Sequence, residues 1–233
     1  MMFGWFDPLY LLFVGPALLL TLYAQARVKT AFSRAQELPA PVPLTGAQVA
    51  AELLRRSGVP GVEIEPAHGF LSDHYDPTHR RLRLSPEVYE GRSLAAFGVA
   101  AHEAGHAIQH GHGYAPLRFR NGLVAFASLG GWMSWIVLLA GIVLMSAKLF
   151  LVGIALFSGT VLFQLVNLPV EFDASRRARR LLQELGLVHG QDDREVGKVL
   201  NAAALTYVAA TLTSLMTLLY YVVQYLALSR HEE

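Results

Sequence analysis

The run Ala100-Ala101-His102-Glu103-Ala104-Gly105-His106-Ala107 sets two imidazoles and a carboxylate close together in the chain. His102 and His106 are four apart, so on a helix they project from one face, a turn apart, where both can reach one metal ion. Glu103 follows the first of them, where a carboxylate can take the proton of a metal-activated water as it attacks a carbonyl. The Ala and Gly around them imply a buried helix, in which three unpaired polar side chains are costly. That cost favours a site over the bland alternative of a solvent-facing helix that carries these residues by chance. The chain has no Cys, which excludes disulfides and thiolate ligands and leaves His, Asp, Glu or water to hold a metal. One Zn²⁺ with an open coordination position is the expected ion.

Two residues compete to be the third ligand. His112 lies six residues after His106, the spacing of the long metzincin motif, but that motif needs Gly at the third position after the second His. Gln109 stands there. Glu171, in Leu168-Pro-Val-Glu-Phe-Asp-Ala-Ser175, is distant in sequence. An apolar hairpin over 122–170 returns the chain to the side of the membrane where the His102 helix lies. This geometry favours Glu171 over His112.

The elements that carry these residues follow from hydropathy and charge. Of 233 residues, 53% are hydrophobic and 16% charged, which is apolar for a soluble domain. Pro8 to Ala26, Gly122 to Ala147, Leu149 to Val170 and about Ala202 to Leu228 are each long enough as helices to cross a hydrocarbon core of about 30 Å. A chain this short cannot bury four such helices from water by itself. Met1 to Tyr10 has no basic residue, which speaks against a signal peptide at the first stretch. Eleven Lys and Arg fall in 27–120 and six in 171–201, against one in the Lys148 turn and Arg230 alone in the C-terminal tail. Positive segments stay cytoplasmic. The expected organisation is an N-terminal transmembrane helix (1–26), a cytoplasmic lobe with the zinc-binding helix (27–121), a transmembrane hairpin (122–170), a cytoplasmic helix with the third ligand (171–201), and a C-terminal transmembrane helix with a short tail (202–233). Both chain ends fall outside, and the protein is a multi-pass component of the cell's inner (plasma) membrane with its active site cytoplasmic. The fold class is mainly α, with about four transmembrane helices and a small α+β zincin-like lobe.

Within the lobe, Leu38-Pro-Ala-Pro-Val-Pro43 reads as a stiff connector. Thr45 caps a helix that stops at Gly58. Val62 to Ile64 and Arg80 to Leu84 alternate like short strands, the latter a candidate edge strand for an extended peptide. Ser85-Pro86 opens a new helix, and Ser93 to about His110 is helical. His74 and Tyr75 are candidates to donate to an oxyanion, beside the alternative of a structural turn at Asp76-Pro77. His68, His79 and His110 read as surface or helix-end histidines.

Taken with Asp73-His-Tyr-Asp-Pro77, Leu84-Ser85, Ala100 to Gln109 and Leu168 to Ser175, the chain resembles the YugP-like family of bacterial membrane zinc metallopeptidases over nearly its whole length. The resemblance implies a neutral zinc peptidase with His102, His106 and Glu171 as ligands and Glu103 as base. A more distant likeness is to the HtpX-type membrane proteases, which carry an Asp four residues after the ligand Glu. Ser175 stands there here. Asp173 is the nearest acid, but two helical residues rotate it by about 200°, away from Glu171. Asn167, one turn before Glu171, is the substitute candidate for the group that orients the histidines.

The expected function is hydrolysis of peptide bonds, as an endopeptidase, near the cytoplasmic membrane face. The bilayer and a peptide or membrane-protein substrate are its partners, and nothing suggests nucleic acid. The alternatives are a zinc hydrolase of a non-peptide substrate and a membrane scaffold with a regulatory metal site. The spans offer only Ser, Thr, Asn and Gln as polar groups, which argues against transport.

Overall fold

The computed structural model describes residues 7–69 and 72–230. The expected outer N-terminal tail Met1–Phe6 and the chain end His231–Glu233 lie outside these, as do Phe70 and Leu71. The order of elements is α1 (Pro8–Gln36), α2 (Gly46–Arg56), β1 (Glu63–Pro66), β2 (His74–Asp76), β3 (Arg81–Leu84), α3 (Pro86–Tyr89), α4 (Leu94–Gly111), α5 (Ala115–Val143), α6 (Ala147–Glu184) and α7 (Gly190–Ser229). The chain divides into a lobe, residues 24–118 and 169–205, and a helical unit formed by the remaining described residues.

In the lobe, α2 starts as its sequence dictates. Thr45 Oγ1 accepts from the Gln48 amide while Gln48 Oε1 accepts from the Thr45 amide, a reciprocal cap. Gly58 then turns the chain at a φ of +66°. The three strands form a mixed sheet in the order β1-β3-β2, with β1 parallel and β2 antiparallel to β3. The candidate peptide-binding edge over Arg80 to Leu84 is therefore corrected: β3 is the central strand, and its backbone groups are paired on both sides. Alternation reports one buried face, here Leu82 and Leu84, but not how many neighbours a strand has. On the opposite face Arg81 pairs with Glu63 and Arg83 with Glu65.

The sheet packs on α2 and α4. One core joins Val49 and Leu53 of α2, Leu82 and Leu84 of β3, Phe97, Ala100, Ala101 and Ala104 of α4, and Ala178, Leu182 and Val196 from α6 and α7. Ser93 Oγ caps α4 by accepting from the Ala96 amide. The small residues of α4 are what let it be enclosed on nearly all sides. A Cβ on Gly105 would stand 2.7 Å from the Ala174 carbonyl oxygen, so the α4 and α6 backbones are in direct contact there. The segment 171–201 is the end of α6, a turn over residues 185–189, and the start of α7.

In the helical unit, α5 and α6 are joined by a tight turn, with Gly141 against the Phe150 backbone. Tyr220 and Tyr221 of α7 pack into the same cluster with Leu138 and Ile154. Asp7 caps α1 through the Leu9 amide and accepts from the Tyr220 hydroxyl and the Gln224 amide. Helices α1, α5, α6 and α7 are long and apolar enough to cross a membrane. Trp132 is 78% exposed, and Leu12, Leu19 and Trp135 are exposed as well. Apolar surface on that scale is not stable in water, and lipid accommodates it. The chain is a multi-pass membrane protein with a small α+β region.

Candidate metal centre

His102, Glu103 and His106 come from the middle of α4, and Glu171 comes from α6. The close approach at Gly105 and Ala174 sets the spacing between the two helices and brings these side chains together. His102 Nε2 lies 3.2 Å and His106 Nε2 3.5 Å from Glu171 Oε2. The three ligand atoms lie within 4.8 Å of one another, and among the described residues this is the only such group of three or more His, Asp or Glu. Glu171 is 3% exposed, whereas the two imidazoles are partly open. Two imidazole nitrogens and one carboxylate oxygen are a donor set of the kind that suits a zinc ion with an open position. The cluster could coordinate one.

Burial pushes the His106 pKa down, but the Glu171 carboxylate and the nearby Glu103 charge outweigh it, so the group lies above its ordinary value. Glu103 is itself buried. Its charge is also felt at Asp73, whose carboxyl is raised chiefly by burial, against the lowering effect of its bonds from Ser85.

Each histidine turns its second ring nitrogen to a partner, and neither partner was the one anticipated. His102 Nδ1 is hydrogen-bonded with Ser175 Oγ at 3.1 Å. Glu171 and Ser175 are four apart on α6 and so lie on one face. That Ser175 meets His102 from this face depends on how α6 packs on α4. His106 Nδ1 lies 3.1 Å from Gln109 Oε1. Asp173 is hydrogen-bonded to neither histidine, yet it accepts from Gln109 Nε2. Asn167 Oδ1 accepts from Arg120 Nε within the helical unit.

The remaining candidates have other tasks. His74 is exposed and donates to the Ser72 carbonyl. Tyr75 is hydrogen-bonded with His110 Nδ1 at 2.8 Å. His112 closes the end of α4 and donates from Nε2 to the Ser57 carbonyl. Asp73 ties the approach to β2 to the end of β3 by accepting from the Ser85 amide and hydroxyl. Asp76 accepts from the Thr78 and His79 amides and so shapes the β2–β3 turn.

Comparison with known proteins fits this arrangement. The family model described as "Putative neutral zinc metallopeptidase" matches residues 10–226. The chain belongs to this neutral zinc metallopeptidase family. It is 43% identical over 218 residues to a protein of Bacillus subtilis (strain 168) named "Putative membrane protease YugP", a match covering 94% of this chain and 97% of that one. No solved structure matches the chain. Family membership and the His102–His106–Glu171 cluster together support a metal-dependent hydrolase function at a membrane.

Proposed function

We propose that the protein is a zinc endopeptidase that cleaves membrane-associated or unfolded protein chains at the cytoplasmic face of the membrane. The observation that carries this reading is the convergence of His102, His106 and Glu171, with Glu103 next to the first of them on α4. His102, His106 and Glu171 would hold one Zn²⁺. When bound, such an ion supplies Lewis acidity to a carbonyl oxygen and lowers the pKa of water. Glu103 takes the proton from the attacking water and returns it to the leaving amine. Ser175 orients His102, so the ligand ring does not need to be ordered when the ion arrives. The membrane-protease name of the Bacillus subtilis relative supports a peptide substrate. The surplus of Lys and Arg in 27–120 and 171–201 supports a cytoplasmic site, since both segments carry ligands.

Purified full-length protein in detergent, incubated with a mixture of unfolded proteins, should release peptides detectable by mass spectrometry. A chelator should stop the release and added Zn²⁺ should restore it. Release that survives both chelation and Glu103→Gln would refute the reading.

A further inference from the structure

Gln109 is wholly buried, and the two ends of its amide are not interchangeable. One end faces two pure acceptors, the Val170 carbonyl at 2.8 Å and Asp173 Oδ2 at 2.9 Å. An amide nitrogen satisfies both with its two protons, whereas an amide oxygen there would meet two oxygens. The amide oxygen must therefore face His106 Nδ1. An amide oxygen cannot donate, so His106 Nδ1 carries a proton. Nε2, which faces Glu171, is left as the nitrogen that can offer a lone pair to a metal. The same reasoning does not fix His102, because the Ser175 hydroxyl beside it can donate or accept.

We propose that Gln109 is a positioning residue of the metal centre, fixing the tautomer and ring angle of His106 and, through Asp173 and Arg177, tying that ligand to α6. Arg177 Nε donates to the Asp173 oxygen that also receives the Gln109 amide. The Arg177 guanidinium lies over the Tyr114 ring, 5.5 Å from its centroid. The chain of contacts Tyr114, Arg177, Asp173, Gln109, His106 thus runs from the end of α4 through α6 and back to the ligand. None of the first four needs to touch a reacting atom. Partners of this kind determine how well a histidine ligand is pre-oriented, and their loss weakens metal binding while leaving the ligands in place. The inference rests on the zinc reading and adds to it the residues that set the state of one ligand.

The test uses full-length protein in detergent, zinc affinity by competition with a chromophoric chelator, and the visible absorption of the Co²⁺-loaded form. Wild type and His106→Ala set the scale. A wild type that binds no zinc, or full binding by His106→Ala, overturns the zinc reading and the inference with it. With that scale in hand, Gln109→Met keeps the volume but removes every hydrogen bond. Its zinc affinity should fall by about 10- to 100-fold, with altered cobalt bands. Unchanged affinity and spectrum in Gln109→Met overturn the positioning role and leave the zinc reading intact. Asp173→Ala keeps Gln109 and both histidines and removes only the tie from the Gln109 amide to Asp173 and Arg177. At this partly open position it should lower zinc affinity by about 10-fold, with altered cobalt bands, even if Gln109→Met does not fold. Unchanged affinity and spectrum in Asp173→Ala overturn the inference.

Discussion

At the residue scale, the proposed mechanism divides holding a metal and moving a proton between two carboxylates. Glu103 and Glu171 are both buried carboxylates, but only Glu171 stands within hydrogen-bond reach of an imidazole nitrogen. Glu103→Gln preserves the shape and every ligand atom. Its zinc content should equal the wild type's while turnover of a cleavable peptide falls by about 100- to 10,000-fold, the usual worth of a general base. Glu171→Ala should lose zinc along with turnover, because only two protein ligands are left. Its zinc affinity should drop by more than about 100-fold, beyond what loss of an orienting partner costs. His112→Ala is the matched control. It removes a bond to the Ser57 carbonyl, costs about 1 kcal/mol of stability and should leave zinc in place. Metal content of Glu171→Ala and His112→Ala, measured together after the same dialysis, decides between the two candidate ligands. A zinc-depleted His112→Ala beside a zinc-replete Glu171→Ala would reverse the assignment.

At the scale of elements, the site depends on how closely α4 lies to α6. Gly105 sits between the two histidines, and a methyl group there would press on the Ala174 backbone. Backbone cannot rotate aside as a side chain does, so Gly105→Ala should separate the helices by a few tenths of an ångström or more. We expect a loss of about 1–3 kcal/mol in stability from overpacking, together with weaker zinc binding. Thermal unfolding followed by chelator competition reads both; a stable variant with wild-type affinity would show that the contact does not set the site's geometry. Much of this was legible in the sequence. The His102–His106 spacing put both imidazoles on one face of α4, Thr45 marked the start of α2, and the Ala and Gly content of α4 announced close packing. The central position of β3 was not legible, because alternation describes faces and is silent about edges. Gln109 and Ser175 were missed because their roles depend on which residue of the opposing helix stands across from them. Sequence spacing along one helix does not contain that information.

At the scale of the whole molecule, orientation in the membrane is the property on which the proposed cytoplasmic site stands. Four helices have the length and apolar surface to span the bilayer, and an even number returns the C-terminus to the side of the N-terminus. The seventeen Lys and Arg of 27–120 and 171–201, against one in the Lys148 turn, are the basis for proposing that both segments that carry the cluster lie inside. The absence of Cys makes this directly measurable, since single Cys probes meet no background. Arg56 lies at the exposed end of α2, and Ser229 lies at the end of α7. In intact cells a membrane-impermeant thiol reagent should label Ser229→Cys and spare Arg56→Cys until the membrane is opened. A probe at Lys148, in the span-connecting turn, should behave like Ser229→Cys. Labelling of Arg56→Cys in intact cells, with protection of the other two, would put the metal centre on the outer face. The substrate would then have to be an exported chain rather than one met at the cytoplasmic surface.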